Sequence, residues 1–190
     1  MRNAGTTDAW RCLLIFHARG IRPDAMKKRS SAGCLLFRRT NTSLEVLLAH
    51  MGGPYWARKD DGSWSIPKGE YDDDSEDPFE VALREFEEEL GSPVPAEHYL
   101  ELGSARQPSG KIVTIWAAEG DFDPATAVSN TFTMEWPKGS GNERTFPEID
   151  RVAWFDVAAA RTKLLRGQVV FLDRLVEKLE SSPECSPAAV

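Results

Sequence analysis

Glu85, Glu88 and Glu89, in the stretch REFEEELG, stand at i, i+3 and i+4. On a helix those positions share one flank, with side chains about 5–6 Å apart. Carboxylates that close repel one another unless a cation lies among them. A hard divalent ion such as Mg²⁺ or Mn²⁺ is matched to clustered carboxylate oxygens. The chemistry on offer is metal-assisted, and the alternative is a solvated acidic face, the commoner meaning of a charge run.

The surrounding residues supply the helix. Asp77 is placed as N-cap, Pro78 as first residue and Glu80 as the third position of a capping-box-like pattern, and Gly91 and Pro93 end it. That predicts a helix over 78–90. At 100° per residue, Phe79, Ala82, Leu83, Phe86 and Leu90 form its core stripe. Glu85, Glu88 and Glu89 lie beside that stripe, with Glu89 at its border. Glu80 and Glu87 fall on the solvent flank.

Strand-length apolar runs appear in AGCLLF, LEVLLAH, KIVTIWAA and RVAWF. TFTMEW alternates, sending Phe132, Met134 and Trp136 one way. Asp156 is placed to cap a helix over VAAARTKLL, and a last helix over 168–180 carries Leu172, Leu175, Val176 and Leu179 on one stripe. Strands and helices mix without strict βαβα order. An α/β or α+β layered domain with a mixed sheet is expected.

The chain has 190 residues, 41% hydrophobic and 28% charged, which fits one ordinary domain over 26–181. Residues 1–25 read as an extension without fold information, and 182–190 as a frayed tail. A net charge of −7 offers no broad basic face, so nucleic acid and anionic membranes are not expected partners. No run approaches the roughly 20 apolar residues of a membrane span. Three cysteines without a CxxC pair point to a reducing, cytoplasmic setting. The three histidines lack metal-ligand spacing.

The wider stretch PKGEYDDDSEDPFEVALREFEEELGS resembles the Nudix box, G-x5-E-x7-R-E-U-x-E-E-x-G-U, with U a bulky apolar residue. Gly69, Glu76, Arg84, Glu85, Phe86, Glu88, Glu89 and Gly91 match in order. Two departures stand out: six residues separate Gly69 from Glu76, and Ser92 replaces the final apolar residue. WSIPKGE before the box and FPEIDRVAWF after it look like the family's flanking strands. The resemblance covers about residues 30–180. It implies an α/β/α sandwich around a mixed sheet and hydrolysis of a nucleoside diphosphate linked to another moiety. It implies that Glu85, Glu88 and Glu89, with the Gly69 carbonyl, hold Mg²⁺ or Mn²⁺, while Glu76 pairs with Arg84 and steadies the loop.

A diphosphate is shielded by its own negative oxygens, which is what a divalent cation relieves. Glu85 or Glu88 could accept a proton from the attacking water, and so could Glu148, outside the box. Lys68 is placed to meet a phosphate as a point charge. Arg58, Lys59 and Lys111 could do the same but read more readily as surface. Tyr55 and Trp56, in a Gly/Pro loop, could stack on a base, against the plainer reading of packed loop aromatics. SIPKGE looks like the entry to the box in the branch acting on dinucleoside polyphosphates, and that substrate class is favoured over ADP-ribose-type sugars or nucleoside triphosphates. The rivals are a nucleotide-binding sensor on the same fold without turnover, and a diphosphate isomerase resting on Cys34.

Overall fold

The structure is a computed structural model that describes residues 30–181. The expected extension over 1–25 and tail over 182–190 lie outside the described residues. The elements are β1 (Ser30–Arg39), β2 (Leu44–Met51), β3 (Trp64–Ser65), β4 (Lys68–Tyr71), α1 (Pro78–Leu90), β5 (Tyr99–Arg106), β6 (Ile112–Glu119), β7 (Thr131–Glu135), β8 (Glu143–Pro147), β9 (Ile149–Asp156), α2 (Val157–Lys163) and α3 (Val169–Ser181).

β1 and β2 read as near-continuous apolar runs because both of their faces are covered. Alternate residues serve two cores. Cys34 and Leu36 of β1 and Leu47 and Ala49 of β2 pack with Phe86 and Leu90 of α1. Leu35, Phe37, Val46 and Leu48 face the other way, onto Ala160, Leu164, Phe171, Leu172 and Leu175 from α2, α3 and their connection. One sheet with helices on both faces is the expected α/β/α sandwich.

The main sheet has seven strands, with central order β3-β2-β1-β6-β5. It is mixed: β1 runs parallel to β6 and antiparallel to β2 and β4. β1 is shared between two antiparallel partners, β4 along Ser30–Gly33 and β2 along Phe37–Arg39. β9 joins the far side of β2. β7 and β8 form a separate two-stranded hairpin. Phe132 and Met134 are half-buried on its inner row and Thr131, Thr133 and Glu135 exposed, as the alternation requires.

The expected helix over 78–90 is present residue for residue. The Asp77 carboxylate accepts from the Phe79 and Glu80 N–H groups, and Gly91 closes the helix at φ +81°. Two details differ. The Glu80 side chain does not complete the reciprocal half of a capping box. The core stripe is also rotated: Val81, Ala82, Phe86 and Leu90 are buried, whereas Phe79 and Leu83 are only partly so. Val81 and Ala82 meet Ala32 of β1, and Phe79 spends its ring on Tyr99 and Trp116. On α3 the stripe likewise includes Phe171, and Val176 and Leu179 lie at its edge.

Candidate active site

The rotation of α1 sets the environment of the glutamates. Glu85 and Glu89 follow Val81 along one i, i+4 row, so they descend toward the sheet with it. Side-chain exposure separates the set: 15% for Glu85 against 51% for Glu88. Glu89 is half-buried, and Glu80 and Glu87 are exposed, as expected.

β4 brings the entry of the box against this row. Its pairing sets Gly69 opposite Ala32 and Lys68 opposite Gly33. The Lys68 N–H donates to Glu89 Oε2 at 3.1 Å. Gly69 must be glycine for a reason of space: a Cβ there would sit 1.8 Å from Glu85 Oε2. The Glu85 carboxylate therefore lies directly on the backbone of Gly69. The added residue in the acidic loop does not displace that glycine.

The loop between β4 and α1 is tied at its own end. Glu76 accepts from the Asp72 N–H at 3.0 Å and from Arg84 Nη1 at 2.8 Å. Arg84 also reaches Glu85 Oε1 at 3.2 Å and Glu88 Oε1 at 3.6 Å. One guanidinium thus holds the loop and neutralises part of the acidic row. Among the described residues no three Asp, Glu, His or Cys side chains stand in a closed metal-holding arrangement. Instead Arg84 takes Glu85 and Glu88, and the Lys68 amide takes Glu89.

The titration of these groups records their crowding. Burial pushes the Glu89 carboxyl up to about 8, with Glu85 and Glu148 adding to the rise and Lys68 opposing it. Burial also raises Glu85, with help from Glu88 and against Arg84 and Lys68. Glu148 is raised by desolvation and then by the charge of Glu88. Glu76 moves the other way, held low first by its bond to Arg84. These mutual influences bring Glu148, about sixty residues along the chain, to the same acidic centre. Its backbone is clamped there, since Gly52 N–H donates to the Glu148 carbonyl at 2.7 Å and Glu148 N–H to the Asn130 carbonyl at 2.8 Å.

The donor set fits a hard divalent cation. It is all oxygen, mutually repelling, and backed by a glycine whose missing Cβ leaves room for a carboxylate. Lys68, Gly69, Glu76, Arg84, Glu85, Glu88, Glu89 and Glu148 are thus gathered at one edge, and Gly91 ends the helix that carries the row. Arg58 and Trp56 are not part of this cluster. They lie on the loop after β2, where Arg58 is exposed and Lys59 Nζ stands 4.4 Å from the centre of the Trp56 ring. Lys111 is a surface pair with Glu70 at 2.9 Å.

Sequence reasoning passed over His50 and Asp150. His50 is fully buried at the end of β2. Its Nδ1 lies 2.5 Å from Asp150 Oδ1 and its Nε2 2.9 Å from the Lys59 carbonyl. It ties β9 to the 52–62 loop beside Glu148. The one available signal was a polar residue closing the apolar run LEVLLAH.

The profile of the NUDIX domain matches residues 27–175. The chain belongs to the NUDIX family. No curated protein sequence matches this Nudix chain. Among solved structures it is similar to an Ap4A hydrolase from C. elegans in a binary complex, at 20% identity and TM-score 0.53, covering 80% of this chain and 99% of that one. It is similar to the NUDIX domain of Shewanella oneidensis NrtR complexed with ADP ribose, at 15% identity and TM-score 0.53, covering 92% and 99%. A MutT/nudix family protein from Enterococcus faecalis gives 20% identity and TM-score 0.54, covering 94% and 73%. At these identities the likeness concerns the Nudix fold. No helix among the described residues is long and apolar enough to cross a membrane.

Proposed function

We propose that this chain, a Nudix pyrophosphohydrolase, cleaves the phosphoanhydride of a nucleoside diphosphate linked to another moiety, with dinucleoside polyphosphates as the favoured class. Mg²⁺ or Mn²⁺ is the proposed cofactor, held by Glu85, Glu88, Glu89 and the Gly69 carbonyl. The observation that carries the reading is the seating of the Glu85 carboxylate on Gly69 with Glu89 bound to the next amide. A structural helix face has no need to spend a glycine and a backbone donor on two glutamates.

When bound, the cation neutralises non-bridging phosphate oxygens and stabilises the leaving phosphate. The chain's own groups do the rest. Glu148 accepts the proton of the attacking water, because it stands beside the acidic row with its backbone clamped by Gly52 and Asn130 and is not among the residues proposed to hold the cation. Lys68 contributes a point charge toward the phosphate. Arg84, locked to Glu76, holds loop and helix in register and lends charge to Glu85 and Glu88. The dinucleoside polyphosphate preference draws support from SIPKGE at the entry of the box and from the fold of the C. elegans Ap4A hydrolase.

A nucleotide panel with Mg²⁺ tests this, scoring phosphate released with and without added phosphatase or pyrophosphatase. Cleavage of a linked nucleoside diphosphate that stops in EDTA is expected. Binding of the same compounds without any turnover would make the chain a sensor and sink the hydrolase reading. Glu148→Gln should lower kcat and leave KM nearly unchanged; an unaltered kcat returns the base role to Glu85 or Glu88.

A further inference from the structure

Five aromatic side chains, Tyr55, Trp56, Phe132, Trp136 and Phe146, lie outside the core clusters. They are half-buried on two pieces that lean together, the β7–β8 hairpin and the loop after β2. The contact is built through glycines. Gly52 comes so close to the hairpin base that a Cβ would lie 2.0 Å from the Pro147 carbonyl oxygen. Gly53, at φ +85°, meets the Phe132 ring, where a Cβ would lie 2.8 Å from Cζ. Farther out, Tyr55 and Trp136 meet edge to face at 5.1 Å between ring centres. The loop is anchored from behind, because the Lys59 carbonyl faces His50 and Asp60 pairs with Lys163.

This wall starts at the proposed base. Phe132 pairs with Phe146, which lies two residues before Glu148, or about 7 Å along a strand. Trp136 is bonded to the position of Asn142, six residues before Glu148, which puts it about 20 Å out. Cations accompany the row. Arg144 lies opposite Met134, and Lys59 stands over Trp56. Among the described residues Arg58 and Arg144 form no ion pair, although the chain carries seven more acids than bases.

We infer that the hairpin and the 53–59 loop form a distal subsite for a second planar base carried on a phosphate chain, so that the enzyme selects two-ended nucleotides over one-ended ones. The inference rests on the hydrolase reading above and deepens it. Planar aromatic faces suit a base of any identity. The Arg58, Lys59 and Arg144 side chains suit the phosphates that precede it. Continuity through Phe146 to Glu148 puts this subsite on the same substrate as the acidic centre. Trp136 is the specificity-determining residue, with Tyr55 as its support.

The test compares diadenosine tetraphosphate with adenosine 5′-tetraphosphate, which has the same number of phosphates and one base fewer. Trp136→Ala should raise KM for the two-base compound by about fivefold to a hundredfold, the range for loss of one stacked base. It should leave kcat, and KM for the one-base compound, within about twofold. Trp136→Phe should restore most of the loss. Equal losses on both compounds, or no loss on either, overturn the subsite. Calorimetric binding of diadenosine tetraphosphate with Mg²⁺ separates the two readings. Weaker binding in Trp136→Ala without cleavage of either compound by the parent sustains the subsite and sinks the hydrolase; cleavage with unchanged binding does the reverse.

Discussion

Helix α1 and the β7–β8 hairpin both border Glu148, yet they are built from opposite materials. The helix offers carboxylates, each already engaged by a guanidinium or an amide. The hairpin offers rings and the cation of Arg144, fitted to a neighbouring loop through two glycines. The difference teaches where the two halves of an enzyme's task reside. In the function proposed above, charge arranged on a capped helix serves the reacting phosphate, and the aromatic surface serves what is attached to it.

The largest break in that comparison is Glu88→Gln. Losing one carboxylate of the cation set should cost about a hundredfold or more in kcat on every substrate, since each ~1.4 kcal/mol is tenfold. Glu87→Gln, one residue away on the solvent flank, should leave the rate within about twofold. Equal losses in steady-state assays would mean that the face assignment is wrong.

Two glycine substitutions sharpen it. Gly69→Ala drives its Cβ into the Glu85 carboxylate, the far end of a flexible side chain. The fold should tolerate this with a melting temperature changed by about 4 °C or less, while kcat falls about tenfold to a hundredfold from misplacement of Glu85. Gly53→Ala should do the opposite. Positive φ and the Phe132 ring together should cost about 1–3 kcal/mol of stability, and cleavage of a one-base substrate should survive. Melts and rates on both variants check the crossing; a stable, active Gly69→Ala would remove the central observation.

Mg²⁺ should raise the melting temperature by linkage, about 2.7 kcal/mol at a hundredfold excess over Kd, or about 5–10 °C for a domain of this size. Glu88→Gln should shrink the rise, whereas Trp136→Ala should leave it whole. A parent melt indifferent to saturating Mg²⁺, with rates also unchanged in EDTA, would return the glutamates to a solvated face.

A separate effect is on pH dependence without metal. The Glu89 carboxyl is raised to about 8 in the folded chain from an ordinary value near 4.5. The folded state therefore holds the proton more tightly than the unfolded one. Stability from this group is complete below about pH 4.5 and is lost as pH rises through about 8. Melts in EDTA should decline across that window, and Glu89→Gln should flatten the decline. A parent melt that rises with pH there would reverse the sign and contradict a desolvated Glu89.

Much of the helix side was legible because its signals are local. Asp77, Pro78 and Gly91 mark the ends of α1 within one stretch of chain, and the spacing of Glu85, Glu88 and Glu89 needs only a helical period. β1 and β2 were legible as apolar runs, and Asp156 as the cap of α2, where it accepts from the Ala159 N–H. β5 was not, because an edge strand with Gly103 at positive φ and mostly partly exposed residues shows no alternation. β8 was not, since ERTFP is nearly all exposed. The exchange of Phe79 and Leu83 for Val81 in the core depends on where Ala32 lies, which a wheel cannot know. Nor could the sequence show that Gly53 and Phe132 touch, since that contact joins segments about eighty residues apart.

The parallel pairing of β1 with β6 places Ser30–Phe37 alongside Ile112–Glu119. The central strand of the domain thus finds its parallel partner only after the whole box has intervened. The ends of α1 are set by its own caps, but Gly69 meets Glu85 because β4 is docked on β1, and Glu148 is supplied by the chain beyond β6. Sequence-distant pairing of this kind slows folding. The active centre therefore depends on sequence-distant pairings of the sheet as much as on the helix that carries its glutamates.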